Sequence, residues 1–277
     1  MEIFTIFLSS LLTILTPAGL ILDSVSKNTL RSQFEEVEEL EVRIDNAPSY
    51  QIIQGKVQKI RLASRGLQLT PAFRIDTLEL ETDPINIDLS ILQQRGENAL
   101  QKSLRQPLQG AVRLVLSEDD LNRALQSPEI KTQLQKFVNQ MRGNSSQRKR
   151  YELLNTHIEL LGDNRLRVQV QLRRANSVEQ ESEPLDIMLE LGLNVVAGRN
   201  LQLVEPVATV NGRKLSRRIL NGFAKGLTGR LDLRTLEDNG ITARLLQLKM
   251  EGDEIDLAAF VRVQPLASMS PLDTSSH

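Results

Sequence analysis

Few residues of this chain have side chains that could act as catalysts. The chain contains two histidines, and one of them is the C-terminal His277, so only His157 lies inside the sequence. A histidine can serve as a general base or as a metal ligand. His157 stands next to Ile158 in the strand-like segment 155–160, and we therefore interpret it as an ordinary histidine of a strand.

Three consecutive carboxylates could also hold a metal ion or exchange protons. Glu118, Asp119 and Asp120 follow Ser117, and this order is typical of a helix N-cap with acidic residues in the first turn. The absence of cysteine excludes a thiolate metal site, a cysteine nucleophile and a disulfide. The chain also has no G-x-S-x-G elbow, P-loop or H-E-x-x-H motif. We therefore predict no catalytic residue, no enzyme activity, no metal and no cofactor.

Two clusters of basic residues indicate contact with an anionic membrane surface. One lies in the polar segment 142–150, and the other lies on a helix predicted over 213–228. A basic amphipathic helix can lie on an anionic membrane. The alternatives are a core helix with a solvated basic back and a solvated linker. The predicted membrane-docking residues are Arg148, Lys149, Arg150, Lys214, Arg217, Arg218 and Lys225.

The composition restricts the remaining functions. Among 277 residues, 34 Lys and Arg oppose 35 Asp and Glu, so the net charge is −1 and no basic field attracts nucleic acid. Aromatic residues make up 3% without any Trp, which is too little for a platform that stacks bases or sugars. The apolar residues, 40% of the chain, are therefore nearly all aliphatic. Such a composition suits an aliphatic surface that packs on, or is exposed to, other aliphatic groups.

The elements that must position these residues begin with long alternating stripes. Apolar side chains recur every second residue over 166–172, 185–195, 255–263 and 85–91. A period of two with one polar face predicts half-buried antiparallel strands. The stripes change phase near Gly66, between Ile75 and Leu78, and across Pro206, which predicts bulges. Long strands with repeated bulges favour a strongly curved sheet.

Helices are fewer in the prediction. Ser117 caps one helix that runs through Gln126, and Ser127 with Pro128 begins a second. The helix over 213–228 carries an apolar residue every four positions, and another helix is predicted around 30–37. The predicted fold class is α+β, with a long, strongly curved antiparallel sheet wrapped around amphipathic helices.

Such a sheet forms an aliphatic trough that either is filled by its own helices or accepts lipid tails. A chain of ~14 methylenes gains about 0.8 kcal/mol for each buried methylene, without any specific polar contact. A lipid-binding protein, or an envelope scaffold with a closed core, therefore needs no catalytic constellation. The predicted lipid-cleft residues are Leu166, Val168, Val170, Leu172, Leu189, Leu191, Leu193, Phe137 and Phe223.

The N-terminal segment 3–22 contains no charged residue. Its 20 residues would span about 30 Å as a helix, the thickness of a bilayer core. The segment can be a signal peptide, an anchor or a buried helix, and no Lys or Arg precedes Lys27. We divide the chain into this segment (1–22), a lipid-binding-like domain (23–265) with a loop or hinge at 142–150, and a disordered tail (266–277).

Three stretches carry a resemblance to a known family. They are VRIDNAPSYQIIQGKVQKIRLASRGL, LELETDPINIDL and PLQGAVRLVLSEDDLNRALQSPEI, of which the last has strand, cap, helix, cap and helix in fixed spacing. They resemble the bacterial LmeA-like phospholipid-binding family, and members of the cyanobacterial kind most. The resemblance covers roughly residues 30–263.

The resemblance implies a protein of the cell envelope that binds phospholipid in an elongated hydrophobic cleft, with a fold similar to tubular lipid-binding proteins. It favours the periplasmic side of the membrane, whereas Lys27 and Arg31 after an uncleaved anchor would favour the cytoplasmic side. Its implied partners are phospholipid, or another acyl lipid, and the membrane surface. It supplies no catalytic residue.

Overall fold

The structure is a computed structural model that describes residues 36–46, 48–92, 99–140, 151–174 and 184–266. Long antiparallel strands and short helices form it, so the predicted α+β class is confirmed. The predictions for 1–22, for the segment 142–150 and for most of the tail fall outside the described residues.

A six-stranded antiparallel sheet contains strands from both sides of the segment 142–150. Its strands, in spatial order, are β1 (Glu36–Asp45), β3 (Lys59–Thr70), β4 (Phe73–Thr82), β6 (Leu108–Ser117), β13 (Glu254–Val263) and β12 (Ile241–Glu251). A small two-stranded sheet pairs β2 (Lys56–Val57) with β5 (Ile85–Asn86). The larger buried core lies on one face of the six-stranded sheet, where Leu233 and Leu236 of the 3₁₀ helix Leu233–Asn239 cover it.

A second antiparallel sheet has five strands. Its spatial order is β11 (Arg213–Lys214), β10 (Asn200–Val210), β9 (Leu185–Val196), β8 (Arg165–Arg174) and β7 (Tyr151–Gly162). The prediction of one strongly curved sheet is wrong, because the edge strand β12 meets turns of the second sheet instead of another strand. The Met250 N–H donates to Asn164 Oδ1 at 2.8 Å, and the Leu245 N–H donates to the Gly198 carbonyl at 2.7 Å.

Helices connect and flank the sheets. They are α1 (Leu89–Leu92), α2 (Ala99–Ser103), α3 (Glu118–Leu125), α4 (Pro128–Gln140) and α5 (Arg217–Arg230), together with a 3₁₀ helix at Ser49–Gln54. The caps predicted for α3 and α4 are confirmed, since the Ser117 and Ser127 hydroxyls accept the N–H groups of Asp120 and Ile130.

Two predictions of local structure are wrong. The stripe over 85–91 forms a strand only at Ile85–Asn86, because the Asp88 carboxylate accepts the Ser90 N–H and begins the helical turn α1. The helix predicted around 30–37 does not include Val37, which lies in β1 and is buried against Leu67.

Irregularities are present near Gly66 and at Pro206, whereas the register of β4 with β3 continues unbroken between Ile75 and Leu78. Gly66 has φ +58°, and the Glu38 side chain occupies the space that a Cβ atom would need. Beyond it, Leu67 and Ile75 join the same buried cluster as Leu62 and Leu78, although their parity differs. In β10, the register with β9 shifts between Val204 and Val207, next to Pro206.

Helix α3 covers the open edge of β7 with its side chains. The Asn122 amide both donates to the Ile158 carbonyl and accepts the Ile158 N–H, each at 2.8 Å. The Leu160 N–H donates to Glu118 Oε2 at 2.7 Å, and Gln126 Nε2 donates to the Thr156 carbonyl at 2.8 Å. These bonds satisfy backbone groups that a bare edge strand would expose.

Asp120 connects the same helix to the six-stranded sheet. Its carboxylate is only 3% exposed and accepts from Arg74 of β4 at 2.8 Å, from Arg123 at 2.6 Å and from the Ser117 hydroxyl at 2.9 Å. Hydrogen bonds to Glu38, and then to Asp120, raise the pKa of Arg74. The predicted carboxylate cluster is therefore a joint between the two sheets.

We expect Asp120→Asn to lower the free energy of unfolding by about 3 kcal/mol, because it leaves the Arg74 guanidinium without its buried counter-charge. Arg123→Gln removes the 54% exposed partner of the same carboxylate and should cost less than about 1 kcal/mol. Urea unfolding followed by circular dichroism measures both. Equal destabilisation by the two variants would contradict the importance of the Arg74 pair.

Candidate binding site: an aliphatic face on the five-stranded sheet

One face of the five-stranded sheet is built almost entirely from aliphatic side chains. Ladder partners share a face, so the register defines its members. We call this surface the aliphatic face, and its members are Thr156, Ile158, Leu160, Leu166, Val168, Val170, Leu172, Leu185, Ile187, Leu189, Leu191, Leu193, Leu203, Ala208 and Val210.

The centre of the aliphatic face is incompletely covered. Val168, Val170, Ile187 and Leu189 are half-buried in the middle strands β8 and β9. Leu191 at 5% exposure is buried. The stripe of β9 continues from Leu191 to Val195, which packs against the core of the six-stranded sheet. The face thus has a half-buried centre between the buried Leu191 on the side of the core and the buried Leu172 on the other side.

Helices flank this face on both sides. Helix α4 packs along β7, where the Gln135 amide bonds the main chain of Tyr151 and Leu153. Helix α5 packs along β10. Leu220 of α5 is buried and Ala224 is half-buried. The two helices act as walls, and β8 with β9 forms the floor between them.

Three glycines lie within α5, at Gly222, Gly226 and Gly229. A Cβ atom added at any of them would meet no heavy atom within 4 Å. Neither close packing nor an unusual φ therefore requires glycine at these positions. Each glycine makes the helix less stable than alanine would, by roughly 0.5–1 kcal/mol.

The opposite face of the five-stranded sheet is polar. Arg167 at its centre forms hydrogen-bonded ion pairs with Glu159 and Glu190. Both pairs raise the pKa of Arg167, and the hydrogen bond to Glu190 has the larger effect. Val204 and Val207 also lie on this face, at 37% and 44% exposure. The sheet is amphipathic, so an apolar ligand would use the aliphatic face.

The predicted cleft residues divide into two groups. Seven of them share the aliphatic face, namely Leu166, Val168, Val170, Leu172, Leu189, Leu191 and Leu193. Phe137 and Phe223 belong to the wall helices α4 and α5, but their side chains lie outside the described residues. Sequence reasoning left Thr156 and Ile158 out of the cleft, because β7 carries register shifts near Leu153 and Leu160 that break its stripe.

The predicted docking cations do not share one helix. Lys214 lies on β11, because α5 begins at Arg217 and not at residue 213 as predicted. Arg217, Arg218 and Lys225 lie on α5, and all four cations are exposed. Ile219 is one of the apolar residues spaced by four that define the predicted apolar side of this helix, but it is 58% exposed beside Arg218. Arg148, Lys149 and Arg150 fall outside the described residues.

Two open cavities lie elsewhere, on the charged face of the six-stranded sheet. They measure about 910 and 650 Å³ and are wide open. Arg113, which lines both, is paired with Asp256 and Glu79. Ion-paired walls do not suit an acyl chain, whose transfer from water depends on apolar contact. We therefore assign the candidate lipid site to the aliphatic face.

The residues that could act in catalysis or bind a metal have structural positions instead. His157 pairs with Gln169 in the ladder, on the polar face, and is exposed. Glu118 and Asp120 hold the joint between the sheets. Within the described ranges, His, Asp and Glu side chains form no group of three that could hold a metal ion.

The comparison of families agrees with this geometry. The chain matches the LmeA-like phospholipid-binding family over residues 15–260. This match covers most of the sequence, so the chain belongs to that family. No curated protein and no solved structure matches the chain. In the part of the chain that the structure describes, no helix is both long and apolar enough to cross a membrane.

Proposed function

We propose that the chain binds a phospholipid or another acylated lipid with its acyl chains on the aliphatic face, without catalysing a reaction. The observation that carries the proposal is the half-exposed aliphatic floor formed by Val168, Val170, Ile187 and Leu189. This floor lies outside the buried core clusters of the six-stranded sheet. Membership of a phospholipid-binding family supports the same ligand.

The length of the β9 stripe suits an acyl chain. The stripe from Leu185 to Val195 extends over roughly 34 Å at about 3.4 Å per residue, and its half-buried part from Leu185 to Leu189 covers roughly 14 Å of this. Each methylene that leaves water contributes about 0.8 kcal/mol. Binding therefore requires apolar length more than specific polar contacts.

The protein would act at the membrane of the cell envelope, with the periplasmic side favoured, and would transfer lipid as well as bind it. The exposed cations of α5 and β11 support contact with anionic headgroups. A tube-like arrangement similar to tubular lipid-binding proteins stays a prediction from the family resemblance.

An envelope scaffold that binds proteins is the second candidate. The open, charged cavities on the six-stranded sheet favour it, because a polar concave surface fits a protein partner better than a lipid tail. In that case the protein would purify without lipid and the aliphatic face would be closed.

The lipid proposal is tested by filling the floor without adding charge. Val168→Phe with Val170→Phe should reduce copurified diacyl lipid at least severalfold, because the added rings occupy the path of the acyl chain. Val204→Phe with Val207→Phe makes the same change on the polar face and should leave the lipid content unchanged. Native mass spectrometry with organic extraction measures the lipid. Wild-type protein that is lipid-free and does not bind a fluorescent phospholipid would refute the proposal.

Membrane docking is tested on α5. Arg217→Gln with Arg218→Gln should weaken binding to anionic vesicles by about 2 kcal/mol, roughly thirtyfold, since each cation near the surface contributes about 1 kcal/mol. The loss should shrink at high salt, where the Debye length falls below ~10 Å. Lys56→Gln with Lys102→Gln removes two exposed charges elsewhere and serves as the control in vesicle flotation. Equal loss in both pairs would indicate only a net-charge effect.

A further inference from the structure

The aliphatic face contains one buried hydroxyl group that is not hydrogen-bonded. Thr156 is 6% exposed, and its Oγ1 atom is shielded from solvent and has no partner among the described residues. Its main chain is satisfied, because its N–H donates to Asn155 Oδ1 at 2.9 Å and its carbonyl accepts from Gln126 at 2.8 Å. Only the side chain lacks a partner.

This hydroxyl lies on the aliphatic face, on the strand beside the floor of the candidate site. Thr156 pairs with Val170 in the ladder, and Val170 pairs with Ile187, so the three side chains share the aliphatic face. Val170 and Ile187 are half-buried. A buried hydroxyl without a partner costs free energy that a valine of the same shape would avoid. The threonine is thus an unfavourable choice for a floor that serves packing alone.

A bound acyl lipid would supply the missing acceptor. The carbonyl oxygen of an ester or amide accepts hydrogen bonds, and it is the polar atom at the head of an acyl chain. A threonine hydroxyl can donate to it, and the surrounding aliphatic side chains would exclude competing water.

The face also defines a direction for such a ligand. Toward one end it continues through Leu191 and Leu193 into the closed core, which suits the methyl end of the chain. Toward the other end Tyr151 pairs with the exposed Arg174, which by strand parity lies on the same face as Val170. A phosphate headgroup would leave the face at this cationic end.

We propose that the Thr156 hydroxyl donates a hydrogen bond to the acyl carbonyl of the bound lipid and fixes the position of the chain along the aliphatic face. This inference rests on the proposed lipid binding, and it adds the substrate class: lipids whose chains are joined through a carbonyl.

The experiment compares a diester phosphatidylcholine with its dialkyl-ether analogue, which has no chain carbonyl, in a fluorescence displacement assay. Wild-type protein should prefer the diester by about fivefold, the effect of one neutral hydrogen bond. Thr156→Val should lose this preference and melt at a higher temperature, because it removes the unpaired hydroxyl. Thr156→Ser keeps the hydroxyl and should keep the preference.

Ser64→Ala is the matched control. The Ser64 hydroxyl is also buried without a partner among the described residues, but it lies in the six-stranded sheet. Its removal should raise the melting temperature and leave the lipid preference unchanged. Equal preference for the diester in wild type and Thr156→Val would overturn the inference, as would an equal loss of both lipids in that variant. Wild-type protein that binds neither lipid would refute the proposed function itself.

Discussion

A buried charge on one short helix holds one of the joints between the two sheets. Helix α3 holds the buried Asp120 carboxylate against Arg74 of the six-stranded sheet. From its next turn it presents Asn122 to the edge of the five-stranded sheet. A charge this deeply buried is stable only while its partners stay in place. The position of the aliphatic face relative to the main core therefore follows from these polar contacts together with the packing of Val195 and Leu201 on that core.

The aliphatic face can bind a ligand because the fold leaves its central apolar side chains only half-buried. The six-stranded sheet carries the larger buried core on one face. On the five-stranded sheet the buried positions, such as Leu172, Ala208 and Leu191, surround a centre that is only half-buried. Between the wall helices, β8 and β9 keep apolar side chains half-exposed while their polar sides carry paired charges such as Arg167 with Glu190. Such a sheet is suited to an apolar ligand.

Local sequence patterns predicted most helices and strands correctly, but they did not predict how distant strands pair. Alternation predicted β8, β9 and β13, and side-chain caps predicted α3 and α4, because both signals are contained in a few consecutive residues. The division into two sheets depends on turn residues such as Asn164 meeting β12, which no local pattern reveals. The apolar residues spaced by four from Leu215 to Leu227 led to a wrong position for Ile219. In a helix of 3.6 residues per turn, each step of four residues rotates the side chain by about 40°, so such a series does not stay on one face. Thr156 escaped notice because an unpaired hydroxyl is recognised only when its neighbours are known.

The three glycines of α5 have a consequence for how the protein moves. Local stability varies across a fold, and segments with weak intrinsic helix formation and few close contacts exchange their amide hydrogens first. One wall of the aliphatic face therefore has low local stability, because it contains Gly222, Gly226 and Gly229. Strand β9 has high local stability, because it continues into the core. Opening can then occur at one side of the sheet by brief unfolding of a single helix, at a free energy well below that of global unfolding, and the strands that form the floor keep their register throughout.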